Sequence, residues 1–288
     1  MRLLASFVFW LLTTVALAVA IPATWAQHNV VDRNGYSEFA TSAAKDPAVQ
    51  QTMAAALTSQ LMALSANSGY DVNETLLSGA VRAYTSSSAF PGQFALANQV
   101  AHRWMFTDTV GQSDTSGRWE IDLSPMLADS SFQQTLAGFG IKAPETLEIP
   151  LTEDMSQSLR PGQLRDAAKW GPLVSVGAGV LAGVFALLTL AVARRRGKAL
   201  VALGVSGLIV GAGGWAGIEV GRRYVNDALD ATTADVRNVA AAMVDHATGN
   251  LHVWLNLTLA AGGALVVLGF LASMVGGMRR SERPSVSD

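Results

Sequence analysis

Apolar residues in this chain gather into four long stretches, and the polar stretches between them repeat their apolar positions at helical spacing. Trp170–Ala193 reads WGPLVSVGAGVLAGVFALLTLAVA and carries no charge over 24 positions. A helix rises about 1.5 Å per residue and a bilayer's hydrocarbon core is about 30 Å thick, so this stretch is long enough to span. Leu3–Ile21, Ala199–Ile218 and the apolar run within Leu251–Met278 read the same way. Four transmembrane helices are therefore expected, in segments 1–26, 169–193, 199–218 and 251–278. They leave two longer polar segments, 27–168 and 219–250, a short loop at 194–198 and a tail at 279–288.

In 27–168, Asp46-Pro47 joins a capping residue to a proline suited to the first helical position. Val49, Met53, Ala56, Leu57, Leu61 and Leu64 predict a helix to about Ala66, which Asn67-Ser68-Gly69 breaks. A second helix is predicted over Asn73–Tyr84, with Leu76, Leu77, Ala80 and Tyr84 on one face. A third is predicted over Pro91–Phe106, with Phe94, Ala97, Ala101 and Met105 as its stripe. Gly111–Gly117 reads as a polar loop. Arg118–Leu123 and Thr146–Leu151 alternate with period two, as half-buried strands do. Ser124-Pro125 can open a helix to about Phe139, so the pair fits a βαβ unit with parallel strands. Glu153–Ala168 is polar and helical in pattern, broken near Pro161-Gly162. In 219–250, Val225, Leu229, Val236, Val239 and Met243 form a helical stripe that ends at Gly249-Asn250. The expected fold is mainly α: a polytopic helical membrane protein with a mostly helical extracytoplasmic domain containing a small two-strand element.

Charge sets the expected sidedness. Arg2 precedes the first span, Arg194, Arg195, Arg196 and Lys198 lie between the second and third, and Arg279, Arg280 and Arg283 follow the fourth. Eight of the 20 Lys plus Arg sit in those few residues. Such residues are retained on the cytoplasmic side, which predicts N-in and C-in topology in the inner (plasma) membrane. Lys169, Arg222 and Arg223 at outer ends weaken this contrast without reversing it. Residues 1–26 have a basic start, an apolar run and small residues near Ala26, as a signal peptide does. A retained signal anchor is the preferred reading and cleavage is the alternative; both put residue 27 onward outside. Trp25, Trp170 and Trp254 fall at outer ends of spans, the depth that an indole ring prefers.

Composition narrows the function classes. The 288 residues are 50% hydrophobic and 15% charged, where a soluble domain has about 25% charged residues. A net charge of −2 gives no basic excess for nucleic acid. The absence of cysteine removes disulfides, thiolate metal sites and a cysteine nucleophile. Gly177-Ala178-Gly179 and Gly211–Gly214 lie within apolar spans, the wrong setting for a phosphate-cradling loop. Their spacing of four suits helix packing instead, through Gly179 and Gly183, Gly207 and Gly211, and Gly213, Gly217 and Gly221. Those surfaces would serve packing within the chain or a homo-oligomer. His246 and His252 are six apart, off the spacing of a metal pair, and His102-Arg103-Trp104 reads as a packing feature. Asp108, Asp114, Glu120, Asp122 and Asp129 read as a solvated face rather than an acid–base pair. Neither a cofactor nor a metal site is expected. No G-x-S-x-G or H-E-x-x-H string occurs, and a non-enzymatic role is expected. That role is an accessory or scaffolding subunit of an envelope assembly, with the bilayer and a membrane-protein partner around it. Handling of a lipid or another apolar precursor is the alternative, and an envelope enzyme is the weaker third.

Trp25–Phe39, Asp46-Pro47-Ala48-Val49-Gln50, Ser87–Trp104, Ile121–Leu127 and Asp227–Trp254 together carry a resemblance. On these stretches the chain resembles a group of uncharacterised actinobacterial integral membrane proteins. Members share one span, an extracytoplasmic domain, a span pair, a short outer helical segment and a last span. The resemblance implies a retained first span and a cell-envelope setting. It implies no catalytic residue.

Overall fold

The computed structural model describes residues 2–68, 72–107, 120–122, 148–150, 162–230 and 232–281, with residues 128, 130, 133, 134 and 137 between the two short segments. Among these the fold is mainly helical. In chain order come α1 (Arg2–Ala26), α2 (Arg33–Ala43), α3 (Pro47–Ser68), α4 (Glu74–Thr85) and α5 (Phe90–Phe106). After two short strands follow α6 (Arg165–Val192), α7 (Arg196–Leu229) and α8 (Ala234–Ser281). A π turn, Gln27–Val31, extends α1. Four stretches are long and apolar enough to cross a membrane: Leu3–Val31, Arg165–Val192, Arg196–Leu229 and Ala234–Met274. The chain divides into two compact units: Met1–Gln27, Trp170–Gly221 and Gly249–Asp288 form the first, His28–Lys169 and Arg222–Thr248 the second.

The first unit buries mostly small and hydroxylated residues, with Leu203, Val210 and Leu255, and turns most of its large apolar residues outward. Thr13, Ser175, Thr189 and Ser206 are buried, while Val176, Leu187, Leu257 and Phe270 are more than 60% exposed. On α6 the buried residues Ser175, Ala182 and Thr189 stand seven apart, on one face. Phe185 of α6 stacks on Phe9 of α1 at 6.4 Å. Between α1 and α7, Trp10 Nε1 donates to the Ala202 carbonyl at 2.7 Å, and the Thr14 and Ser206 hydroxyls share a 2.7 Å hydrogen bond.

Helices α7 and α8 touch through glycine backbone. A Cβ on Gly204 would lie 2.6 Å from the Gly262 carbonyl oxygen, and one on Gly269 would lie 2.7 Å from the Gly197 oxygen. Neither position tolerates a side chain without moving a helix. The turn between α6 and α7 is shorter than the expected loop 194–198, because Arg196, Gly197 and Lys198 already belong to α7. Nor does α7 stop at Ile218; it runs on to Leu229. Helix α8 is likewise continuous through Gly249-Asn250, where a break was expected. One interior glycine costs about 1 kcal/mol, too little to end a helix with several turns on each side. Asn250 accepts a 2.8 Å hydrogen bond from Trp25 Nε1.

In the second unit, Asp32 caps α2, its carboxylate accepting from the Gly35 N–H at 2.8 Å. The His28 carbonyl lies where a Cβ on Gly35 would stand, so only glycine admits the π turn here. The core joins Ala40 and Ala43 of α2 and Ala44 just after it, Val49, Met53, Leu57 and Leu61 of α3, and Leu77, Ala80, Val81 and Tyr84 of α4. Phe90, Phe94 and Ala95 of α5 complete it with Ala242 of α8, and Val239 and Met243 pack against it. Asn73 caps α4 by accepting from the Leu76 N–H at 3.1 Å. Leu76, expected on the buried face, is 48% exposed, because the core takes up the Leu77, Ala80, Val81 and Tyr84 face. Arg222 and Asp245 form a 2.8 Å ion pair between the α7 and α8 portions of this unit.

Strands β1 (Glu120–Asp122) and β2 (Glu148–Pro150) pair antiparallel, with Ile121 opposite Ile149. The parallel βαβ expectation is corrected on this point. Period-two alternation reports which face is apolar and carries no information on strand direction. Gly111–Gly117, Asp108, Asp114, Trp119, Asp129 and most of the 124–139 and 153–168 segments lie outside the described residues.

Candidate functional site

Three polar side chains of the second unit converge where α2 gives way to α3. Helix α2 closes with backbone bonds from Lys45 N–H to the Ser42 carbonyl and from Asp46 N–H to the Ala43 carbonyl. That turn leaves Ser42 in the last turn of α2 and Asp46 just before Pro47. Asp46 caps α3 in the ordinary way: Oδ1 accepts from the Ala48 N–H at 2.9 Å, and Pro47 stands at the first helical position, where its missing N–H costs nothing. The other oxygen, Oδ2, stands 3.2 Å from Nδ1 of His246. Nε2 of the same ring stands 3.3 Å from Ser42 Oγ.

Proton roles follow from the groups. A carboxylate only accepts, so Nδ1 of His246 carries the proton toward Asp46. In the neutral ring Nε2 is then the acceptor, and Ser42 donates its hydroxyl proton to it. The Ala48 N–H, and after it the His246 hydrogen bond, hold the Asp46 carboxyl below the ordinary carboxylate range. His246 is placed by Ala242, Val239 and Met243, which hold its stretch of α8 against the core. Phe39 of α2 flanks the imidazole, with ring centres 5.7 Å apart. Ser42 is exposed, and the His246 and Asp46 side chains are 21% and 34% exposed.

A second polar cluster lies where α2 meets α5. His102 stacks on Tyr36 at 4.8 Å and on Phe106 at 4.3 Å, and its Nε2 donates to the Val30 carbonyl of the π turn at 3.0 Å. Burial lowers the pKa of His102 against the pull of the Val30 and Val31 carbonyls. The Tyr36 hydroxyl donates to Asn98 Oδ1 at 3.0 Å, and burial pushes its pKa up to about 12. These groups knit two helices together. A groove of about 1070 Å³ also runs between α3 and α4; Gln50, Gln51, Thr58, Ser59 and Arg82 line it together with Ala54, Ala55 and Met62.

The glycines singled out by spacing divide in two. A Cβ on Gly207 would lie 3.1 Å from the Gly262 Cα, and one on Gly211 would run into the Leu259 side chain and approach the Leu255 carbonyl. Gly179, Gly183, Gly213, Gly217 and Gly221 have open space at the Cβ position among the described residues. The glycines that bring α7 against α8 are Gly197, Gly204, Gly207, Gly211 and Gly214, facing Gly262, Gly269, Ser273 and Leu255. Arg194 and Arg195 stand in the turn before α7, Arg196 and Lys198 in its first turn, and Arg279 and Arg280 near the end of α8. His246 and His252 are apart in role as well as spacing, since His252 stacks on Trp215 at 3.7 Å. Asn256, within α8, is exposed. Among the described residues no group of three or more His, Asp and Glu is arranged to hold a metal ion.

The fold thus defines a mainly α-helical chain with four potential membrane-crossing helices and a separate polar helical unit. Compared with known proteins, it matches no family model, no curated protein and no solved structure.

Proposed function

We propose that this chain is a multi-pass membrane protein that holds its polar helical unit outside the cytoplasm, as an accessory or scaffolding subunit of an envelope assembly. The first unit would sit in the inner membrane with both termini inside. One observation carries the reading: the first unit is apolar outside and mostly small and hydroxylated inside. In water that arrangement would leave much apolar surface hydrated, whereas in lipid it is the ordinary one. Transmembrane helices have no hydrophobic drive to associate and rely on close backbone approach and interhelical hydrogen bonds. The α7–α8 glycine contact and the Thr14–Ser206 and Trp10–Ala202 bonds supply both. The arginine-rich turn before α7 and the pair near the end of α8 support N-in and C-in orientation. The α3–α4 groove does not single out lipid handling, since amides, hydroxyls and Arg82 line it beside Ala54, Ala55 and Met62.

The absence of cysteine makes the test direct. Single cysteines at Gln51 and Ser281 are introduced separately and exposed to a membrane-impermeant maleimide in intact cells. Gln51→Cys is expected to react at once, and Ser281→Cys only after permeabilisation. The reverse pattern would overturn the orientation. Mild-detergent purification of the same full chain is expected to bring down a membrane protein in near-stoichiometric amount; recovery of the chain alone would overturn the accessory role.

A further inference from the structure

We propose that Ser42, His246 and Asp46 form a nucleophile–base–orienter relay able to carry out acyl transfer on small exposed esters. The inference goes beyond the accessory role and departs from the non-enzymatic expectation. It rests on geometry. A serine activated for attack needs a base within hydrogen-bond reach and a third group that fixes the base's tautomer. Ser42 Oγ to His246 Nε2 at 3.3 Å meets the first need at the looser end of the range that resting sites show. His246 Nδ1 to Asp46 Oδ2 at 3.2 Å meets the second. The order is the functional one: the hydroxyl faces Nε2 and the carboxylate faces Nδ1.

Each member is also held by something outside the trio. Asp46 is pinned by the Ala48 N–H and by Pro47 behind it. His246 is pinned by the core contacts of its helix turn and by the Phe39 ring. Ser42 is carried by a turn of α2 whose neighbours Ala40, Ala43 and Ala44 are fully buried. The hydroxyl itself is exposed, so a substrate carbonyl can approach it. Pro47, the residue after Asp46, is among those lining the α3–α4 groove.

The step balances without a redox partner. Ser42 Oγ attacks the acyl carbon while its proton passes to His246 Nε2. The bond to the alcohol oxygen then breaks, and the alcohol leaves with that proton. Water attacks the acyl-serine, gives a proton to Nε2, and releases the carboxylic acid as the proton returns to Ser42. Asp46 stays ionised and stabilises the imidazolium formed in each half.

The test uses the full chain in mild detergent and a reporter-tagged fluorophosphonate. This probe exchanges its P–F bond for a bond to an activated serine and releases fluoride. Peptide mass mapping is expected to find the adduct on Ser42, and Ser42→Ala to abolish it. His246→Gln is expected to slow labelling by about 10²–10⁴-fold, the usual contribution of a positioned base. Asp46→Asn keeps a capping side chain, since asparagine caps as well as aspartate, so the chain is expected to stay folded at a somewhat lower melting temperature while labelling slows. An adduct on another serine, no adduct in the folded native chain, or labelling indifferent to His246→Gln would each overturn the proposal. The map of the native chain decides the matter even if a variant fails to fold.

Discussion

His102 shows how one residue ties stability to pH. Its neutral ring is stacked between Tyr36 and Phe106 and donates to Val30, and burial depresses its folded pKa. Arg33 adds to the depression, while Asp32 and the two carbonyls oppose it. The folded chain therefore holds fewer protons than the unfolded chain between the depressed value and about pH 6.5. Stability rises with pH across that window and is complete above it. Thermal unfolding of the native chain is expected to shift to lower temperature as pH falls from 7.5 to 5. His102→Gln keeps an N–H donor, removes the titration and is expected to flatten that slope; an equally steep slope in the variant would show that His102 is not its source. Asp46 acts in a lower window. Its depressed pKa lends stability above the ordinary carboxylate range, lost as pH falls through the folded value. Ser42, Asp46 and His246 were hardly legible as a group, because Asp46 and His246 are 200 positions apart. Asp46 read as a helix cap, which it is. Its second oxygen had no visible purpose until the chain was folded.

Helix α3 was legible to within a turn. Val49, Met53, Leu57 and Leu61 recur at helical spacing behind a cap and a proline, and all four are buried. Helix α2 was not. Its sequence RNGYSEFATSA is short and polar, it carries a glycine near its start, and it packs largely through alanine. The α7–α8 contact was half legible, for a reason of period. Reading at four finds Gly207 and Gly211. Reading at seven finds Gly197, Gly204 and Gly211 on one helix and Gly262 and Gly269 on the other, the repeat that keeps a seam facing its partner. The two glycine classes make opposite predictions. Gly204→Leu forces a side chain onto the Gly262 carbonyl and Val266, and overpacking of this kind costs about 1–3 kcal/mol. Gly179→Ala enters open space and is expected to stabilise α6 by up to about 1 kcal/mol through helix propensity. Unfolding in detergent with added denaturant reads both; equal effects would mean that the α7–α8 contact is not a close one.

At the scale of the whole chain, each unit is assembled from separated segments. The second takes His28–Lys169 and then, beyond two long apolar helices' worth of sequence, Arg222–Thr248. The later segment supplies Ala242, Val239 and Met243 to the core and Asp235 to a 3.0 Å hydrogen bond from Gln60. Expressed alone, residues 28–169 are expected to bind a hydrophobic dye and to melt at lower temperature than the same segment joined by a flexible linker to 222–248. Identical melting of the two would show that the second segment adds nothing to the core.

The divided core also imposes an order on biosynthesis. When Lys169 leaves the ribosome, the side of the core that Val239, Ala242 and Met243 will cover has no partner yet. It stays uncovered while more than fifty further residues are translated. Through that interval the nascent chain is open to aggregation, and a chaperone that shields apolar helix faces would find its client there.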